Sequence, residues 1–110
     1  MRELPETDRP LSELYRIAAK QWVELDGAAR MLEESKTAVL AQRMKALGDI
    51  PAAHAEREVK ASPQWDEFIR SMVDARTRAN LARVKLAWIK MKAAEWQSTE
   101  ANARMEAKLV

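Results

Sequence analysis

The shortage of helix-breaking residues is the feature that most limits how this chain can fold. Only two Gly and four Pro occur in 110 residues, and neither occurs after Pro63. Pro5, Pro10, Pro51 and Gly48 lie where termini or turns are expected. Ala, Glu, Lys, Arg, Leu and Met, which favour helices, dominate the rest. The sequence therefore predicts an all-α protein.

The breakers and the apolar pattern divide a single all-helical domain, 1–110, into four segments. In order, these are a loose arm at 1–9, a helix at 11–47, a turn with a short helix at 48–62 and a long helix at 63–107. Gly48 suits the left-handed residue that ends a helix. Ser62 and Pro63 suit the N-cap and the first helical position. Gly27 is expected inside the first helix, as a kink or a point of close contact.

Heptad spacing of apolar residues predicts that the two long helices pack together. The first helix repeats apolar residues every seventh position: Leu11, Ala18, Leu25, Leu32, Val39 and Ala46. The second has apolar residues at consecutive a and d positions: Trp65, Phe68, Met72, Ala75, Ala79, Ala82, Leu86, Ile89, Ala93 and Trp96. This pattern is typical of a coiled-coil seam. A chain reversal at 48–62 then predicts a long antiparallel, coiled-coil-like helical hairpin, in which Ala18 faces Ala93 and Leu25 faces Leu86.

A second line of apolar residues on the long helix has no partner within such a hairpin. We call these residues the apolar stripe: Val73, Leu81, Val84, Trp88 and Met91. Two helices bury one interface between them, so this line would otherwise face water. The sequence therefore predicts an oligomer interface here, in a homodimer or a higher homo-oligomer.

Basic residues are concentrated on the same helix. Residues 70–92 carry seven basic side chains against Asp74 alone. Six of them flank the seam at e and g positions, and we call them the basic set: Arg76, Arg78, Arg83, Lys85, Lys90 and Lys92. They are candidates for binding nucleic acid or an acidic partner, because phosphate contacts need only Lys and Arg along a helix.

Acidic residues of the first helix are the alternative partners of the basic set. In the expected register Glu33 and Glu34 lie near Arg78 and Arg76, while Asp26 lies near Lys85. These carboxylates neutralise only part of the positive charge, and no acidic residue is expected opposite Lys90 and Lys92. Intramolecular pairing and partner binding therefore both remain open.

Four tryptophans offer a further nucleic-acid signal, because aromatic rings among Lys and Arg stack on unpaired bases. Trp65 and Trp96 are assigned to the seam, and Trp22 faces it. Trp88 alone is expected off the seam, where an oligomer contact explains it equally well.

Residues that could carry catalysis or bind a cofactor are scarce. The chain has no Cys, and His54 is its only histidine, which we interpret as a solvated helix residue. No phosphate-binding glycine loop or nucleophile motif occurs. We therefore expect no enzyme activity, catalytic residue, metal, cofactor or small-molecule substrate. No apolar run is long enough to span a bilayer and no secretory signal is present, so a cytoplasmic protein without membrane contact is expected.

The block SMVDARTRANLARVKLAWIKMKAAEWQSTEANARMEAKL, at 71–109, resembles small all-helical proteins encoded by phages and prophages. The parts that carry the resemblance are AR…AN.AR and the later EWQS.EANAR, and they cover the C-terminal third of the chain. The resemblance implies an accessory role in phage DNA metabolism or in countering host defence, in the cytoplasm of the host cell.

The leading hypothesis is a non-enzymatic phage-type accessory protein that presents a basic helix to nucleic acid or to a nucleic-acid-processing complex. The alternative is a protein-binding inhibitor of a host nuclease or defence effector, that is, an anti-defence protein. A purely structural oligomerisation or scaffolding factor is the third possibility.

Overall fold

Three helices account for nearly all of residues 10–109, which are the residues that the computed structural model describes. They are α1 (Leu11–Ala46), α2 (Ala52–Lys60) and α3 (Pro63–Leu109), and no strand occurs in this part of the chain. The all-α prediction is confirmed. The bounds of α1 and α3 differ from the expected ones by no more than two residues, and the expected arm at 1–9 lies outside the described residues.

Glycine ends α1 as expected. Gly48 has a φ of 93°, the left-handed conformation that costs a residue with a Cβ about 1–2 kcal/mol. The last turn is closed by the Leu47 N–H, which donates to the Met44 carbonyl at 3.1 Å, and by the Gly48 N–H, which donates to the Lys45 carbonyl at 3.2 Å. The chain then extends through Pro51 into α2.

Ser62 caps α3 in the predicted manner. The Trp65 N–H donates to the Ser62 Oγ at 3.2 Å, while that hydroxyl donates to the Val59 carbonyl at 2.6 Å. Pro63 occupies the first helical position, where its missing N–H costs no hydrogen bond. One serine therefore links the end of α2 to the start of α3.

Contacts divide the described residues into two compact units. Unit 1 contains 10–23 and 80–109, and unit 2 contains 24–79. Each unit combines a part of α1 with a part of α3, and unit 2 also contains α2.

The buried side chains of unit 2 are three alanines, Val59 and Trp65. Ala29 of α1 and Ala79 of α3 are completely buried. A methyl group can be covered so fully only where another chain segment approaches closely. Trp65 is also buried, and its ring centroid lies 5.5 Å from that of Phe68.

A small apolar cluster holds unit 1 together. Its buried members are Ala18, Leu86 and Ile89, and Leu14, Ala19 and Trp22 pack against them. Trp22 was expected to face the seam, and it packs against this buried cluster. Ala18 was expected to face Ala93, which is wrong, because Ala18 packs with Leu86 and Ile89. The offset is about one helical turn from Ala93 to Ile89.

The face of α3 that was predicted to be buried is buried except at its last position. Nine of its ten apolar positions are buried or half-buried, but Trp96 is 56% exposed. Because α1 begins at Leu11, only the first residues of α1 are available to cover Trp96 in the described part of the chain. From residue 98 to Leu109 all described side chains are exposed apart from half-buried Glu100.

Gly27 does not mark a close contact. It lies within the continuous helix α1, and a Cβ added there would meet nothing within 4 Å. The expectation of a tight approach at this glycine is therefore wrong.

A bilayer crossing requires a long run of apolar residues, and no helix in the described part of the chain contains one.

Candidate nucleic-acid interface

The basic set falls into two groups. Arg76 and Arg78 belong to unit 2, whereas Arg83, Lys85, Lys90 and Lys92 belong to unit 1. The two groups have different partners.

Arg76 is held by two carboxylates of α1. Its Nε and Nη2 donate to the two oxygens of Glu33, at 2.8 and 2.6 Å, and its Nη1 donates to Asp26 Oδ1 at 2.7 Å. Asp26 also accepts from Arg30 Nη2 at 3.0 Å. This fork geometry is the one in which Arg binds a carboxylate most strongly. Arg76 therefore links two helices within unit 2.

These hydrogen bonds favour the charged carboxylates. They hold the pKa of Asp26 below its ordinary value of 3.8 and the pKa of Glu33 below 4.5. They also raise the pKa of Arg76. Arg76 is thus engaged within the protein and contributes little free charge to a partner.

Arg78 also has an intramolecular partner. Its Nε lies 3.1 Å from Asp74 Oδ2, one turn earlier on α3. The predicted pairing of Arg78 with Glu33 is therefore wrong, since Glu33 binds Arg76. Carboxylates of α1 do bind an arginine of the basic set, but at a different residue from the expected one.

Two lysines of unit 1 lie over aromatic rings. Lys90 Nζ is 5.7 Å from the centroid of the Tyr15 ring, and Lys92 Nζ is 5.6 Å from that of Trp88. Lys92 also lies 3.8 Å from Glu95 on its own helix. Both distances are in the cation–π range, and both lysines are exposed, so their ammonium groups can also reach an anion.

Arg83 and Lys85 complete the unit 1 group, and both are exposed. Within the described residues Arg83 has no ionic partner, and the α1 carboxylates Asp26 and Glu33 bind Arg76 instead.

The charge composition of unit 1 differs from that of unit 2. The described residues of unit 1 carry eight basic and four acidic side chains, and 10–23 and 80–94 contain six of the basic ones but only Glu13 of the acidic ones. Unit 2 carries nine basic and ten acidic side chains. The positive excess of the described chain is therefore concentrated in that part of unit 1.

An open groove of about 1170 Å³ lies on unit 1. Its walls include Tyr15 of α1 and three residues of α3, Trp88, Lys90 and Trp96. We call these four residues the aromatic groove. The rest of the described lining is apolar or uncharged: Pro10, Leu11, Ser12, Leu14, Ile89, Ala93, Ala94 and Gln97.

This groove was not predicted from the sequence, because Trp96 was assigned to the seam. Two signals could have found it. The heptad pattern of α3 ends at Trp96, and the first apolar residue of α1 is Leu11, so the register leaves few α1 residues to cover Trp96. The register in which Ala18 faces Ala93 also places Tyr15 opposite Trp96, and these two residues line one groove.

The apolar stripe is exposed as predicted. Leu81, Val84, Trp88 and Met91 of unit 1 are 65%, 62%, 55% and 61% exposed. Val73 of unit 2 is 56% exposed. Trp88 belongs both to the stripe and to the aromatic groove.

Side chains for metal binding do not cluster in the described residues, since no three of His, Asp and Glu group together there. His54 is exposed and lies 3.9 Å from Glu58 on α2. The chain matches no family model, no curated protein and no solved structure.

Proposed function

We propose that this chain is a non-enzymatic accessory protein that presents α3 to nucleic acid or to a nucleic-acid-processing complex. The positive excess of unit 1 carries the proposal. Arg83, Lys90 and Lys92 are exposed, and residues 10–23 and 80–94 carry six basic side chains and one acidic one. The next acidic residue, Glu95, lies 3.8 Å from Lys92. Such a surface attracts a polyanion through counterion release.

The structural part of the proposal is a long antiparallel hairpin of α1 and α3. Contacts within unit 2 support it, since Asp26 and Glu33 contact Arg76, whereas the later Arg43 lies 5.8 Å from the ring of the earlier Phe68. The residue number rises along α1 from Asp26 to Arg43, while the number of the contacting residue on α3 falls from Arg76 to Phe68. This is the pattern expected of antiparallel helices.

We also propose that the protein forms a homodimer or a higher oligomer through the apolar stripe. Leu81, Val84 and Met91 are large apolar side chains, each more than half exposed on one helix. Grouped apolar residues of this size on a surface mark an interaction site more often than isolated ones do.

The same stripe favours one other candidate function, a protein-binding inhibitor of a host nuclease or defence effector. In that case the stripe contacts the target and the basic residues contact its acidic surface. A purely structural scaffolding role uses the stripe alone. The phage resemblance of 71–109 is compatible with each role and with action in the cytoplasm of the host cell.

The salt dependence of binding tests the leading proposal. Binding of a labelled oligonucleotide should weaken steeply with added salt, and Lys90→Gln should lower the slope of log Kd against log salt by about 1. Lys36→Gln is the matched control, because it removes the same charge from an exposed site of unit 2. Absence of oligonucleotide binding at low salt contradicts the proposal.

A pull-down from host lysate, with and without nuclease treatment, separates the candidates. Nucleic-acid binding predicts that the captured proteins are lost after nuclease treatment. A direct inhibitor predicts one host protein that is captured in both samples.

A further inference from the structure

The aromatic groove combines exposed ring surfaces with positive charge on one unit. Tyr15, Trp88 and Trp96 are 38%, 55% and 56% exposed, although large aromatic side chains are usually more deeply buried. The groove is open, and its volume of about 1170 Å³ is above the roughly 300–1,000 Å³ typical of small-molecule pockets. Its size and openness therefore suit a segment of a polymer better than an enclosed small molecule.

Charge decides which polymer fits. No acidic side chain occurs among the described residues that line the groove, and Lys90 lies over the Tyr15 ring at its wall. Arg16 and Lys20 add positive charge on the α1 part of unit 1, and Arg83 adds it on α3. An apolar, uncharged segment of a second copy would gain nothing from these cations, whereas a polyanion would.

The rings decide between single-stranded and duplex nucleic acid. In a duplex the faces of the bases are covered by neighbouring base pairs, so exposed rings have nothing to stack on. In a single strand each base has a free face, and base–aromatic stacking beside a basic groove is the general mode of sequence-tolerant binding.

We propose that the aromatic groove is a binding site for single-stranded nucleic acid. Tyr15 and Trp96 stack on unpaired bases, and Lys90 with neighbouring cations contacts the phosphates. This inference rests on the proposed nucleic-acid function and names the class of ligand.

The test uses fluorescence anisotropy of a labelled oligothymidylate of about 16 nucleotides, compared with a mixed-sequence duplex of the same length. Tyr15 and Trp96 are the residues to change, since Trp88 is shared with the apolar stripe. Trp96→Leu and Tyr15→Leu keep an apolar side chain but remove the ring. Each should raise the Kd for the single strand by about tenfold, which is within the range expected for one stacked base.

Trp96→Phe and Tyr15→Phe are the matched controls, because they keep a ring at the same position. They should stay within about threefold of the original Kd, and no variant should change duplex binding. Circular dichroism of every variant establishes that the helices are retained. With the helices retained, equal losses for the Leu and Phe variants overturn the inference, since the ring would then not be the relevant group.

The remaining outcomes separate this inference from the proposed function. If the duplex binds as tightly as the single strand and only Lys90→Gln weakens it, the groove inference fails while the proposed function stands. If neither nucleic acid binds, both fail. If Trp96→Leu lowers the mass measured by light scattering and leaves the single-strand Kd unchanged, the groove is a contact between copies of the chain, and the inference is overturned.

Discussion

Units 1 and 2 use the same pair of helices in different ways. In unit 2 the arginines of α3 bind carboxylates, as Arg76 does with Asp26 and Glu33, and Trp65 is buried. In unit 1 Lys90 and Lys92 of α3 lie over aromatic rings, and Trp96 is exposed. The basic residues that are regularly spaced along α3 therefore do not share one role. The role of each depends on which side chains the neighbouring helix supplies.

The largest expected effect concerns two tryptophans of α3. Trp65→Ala should lower the free energy of unfolding by about 3–5 kcal/mol, because a buried indole is removed from unit 2. Trp96→Ala should change it by no more than about 0.5 kcal/mol, because that ring is mostly exposed. Urea denaturation followed by circular dichroism measures both. Equal losses of unfolding free energy in the two variants would show that Trp65 and Trp96 contribute equally to stability.

A second test compares two alanines of α3. Ala79→Leu should destabilise the protein by about 1–3 kcal/mol, because completely buried Ala79 leaves no room for a larger side chain. Ala87→Leu, at an exposed position of unit 1, is the control and should stay within about 0.5 kcal/mol. Tolerance of Leu at residue 79 in the same denaturation experiment would mean that the alanine contact in unit 2 is loose.

Removal of Arg76 should have a smaller effect that depends on pH. The folded-state pKa values of Asp26 and Glu33 are lowered, so their stabilisation is present above the ordinary values of 3.8 and 4.5. It is lost as pH falls through the lower folded-state values. Arg76→Gln should therefore lower Tm by several degrees at neutral pH, and the difference should shrink as the pH falls below 3.8.

Lys90→Gln is the matched control for the Arg76 experiment, because it removes a cation from unit 1 that binds no carboxylate in the described residues. Its Tm should stay close to that of the original protein across the same pH range. A pH-independent loss in Arg76→Gln would show that Arg76 acts through packing of its side chain and not through its ion pairs.

The smallest expected effect is at Gly27 of unit 2. Gly27→Ala should stabilise the protein by about 0.5–1 kcal/mol, because the position is helical and the space for a methyl group is open. Gly48→Ala should do the opposite, since its φ of 93° disfavours a residue with a Cβ. A loss of stability in Gly27→Ala would indicate that close packing in unit 2 extends to this glycine.

Local signals made most of the fold predictable from sequence. The scarcity of Gly and Pro identified an all-helical chain, and Gly48 and Ser62 identified helix ends through backbone chemistry that acts over a few residues. The heptad pattern identified which face of α3 is buried, because a helix face depends only on spacing along one helix.

The axial offset between α1 and α3 was not predictable in the same way. Ala18, Ala79 and Ala82 are similar small side chains, so α1 and α3 can pack through them at axial offsets that differ by one helical turn. That offset determines whether Arg76 reaches Asp26 and whether Trp96 is covered. The ion pairs of unit 2 and the aromatic groove of unit 1 therefore required the structure.

The exposed end of α3 has a consequence for hydrogen exchange. Beyond Gln97 the helix is supported by local contacts such as Arg104 with Glu100 at 3.4 Å, and no described side chain there is buried. Isolated helices shorter than about 12–15 residues are marginal in water. Amide protons in this segment should therefore exchange with deuterium far faster than those around Leu86. Any ligand that contacts the segment should slow that exchange, so hydrogen exchange at the end of α3 would detect binding near the groove.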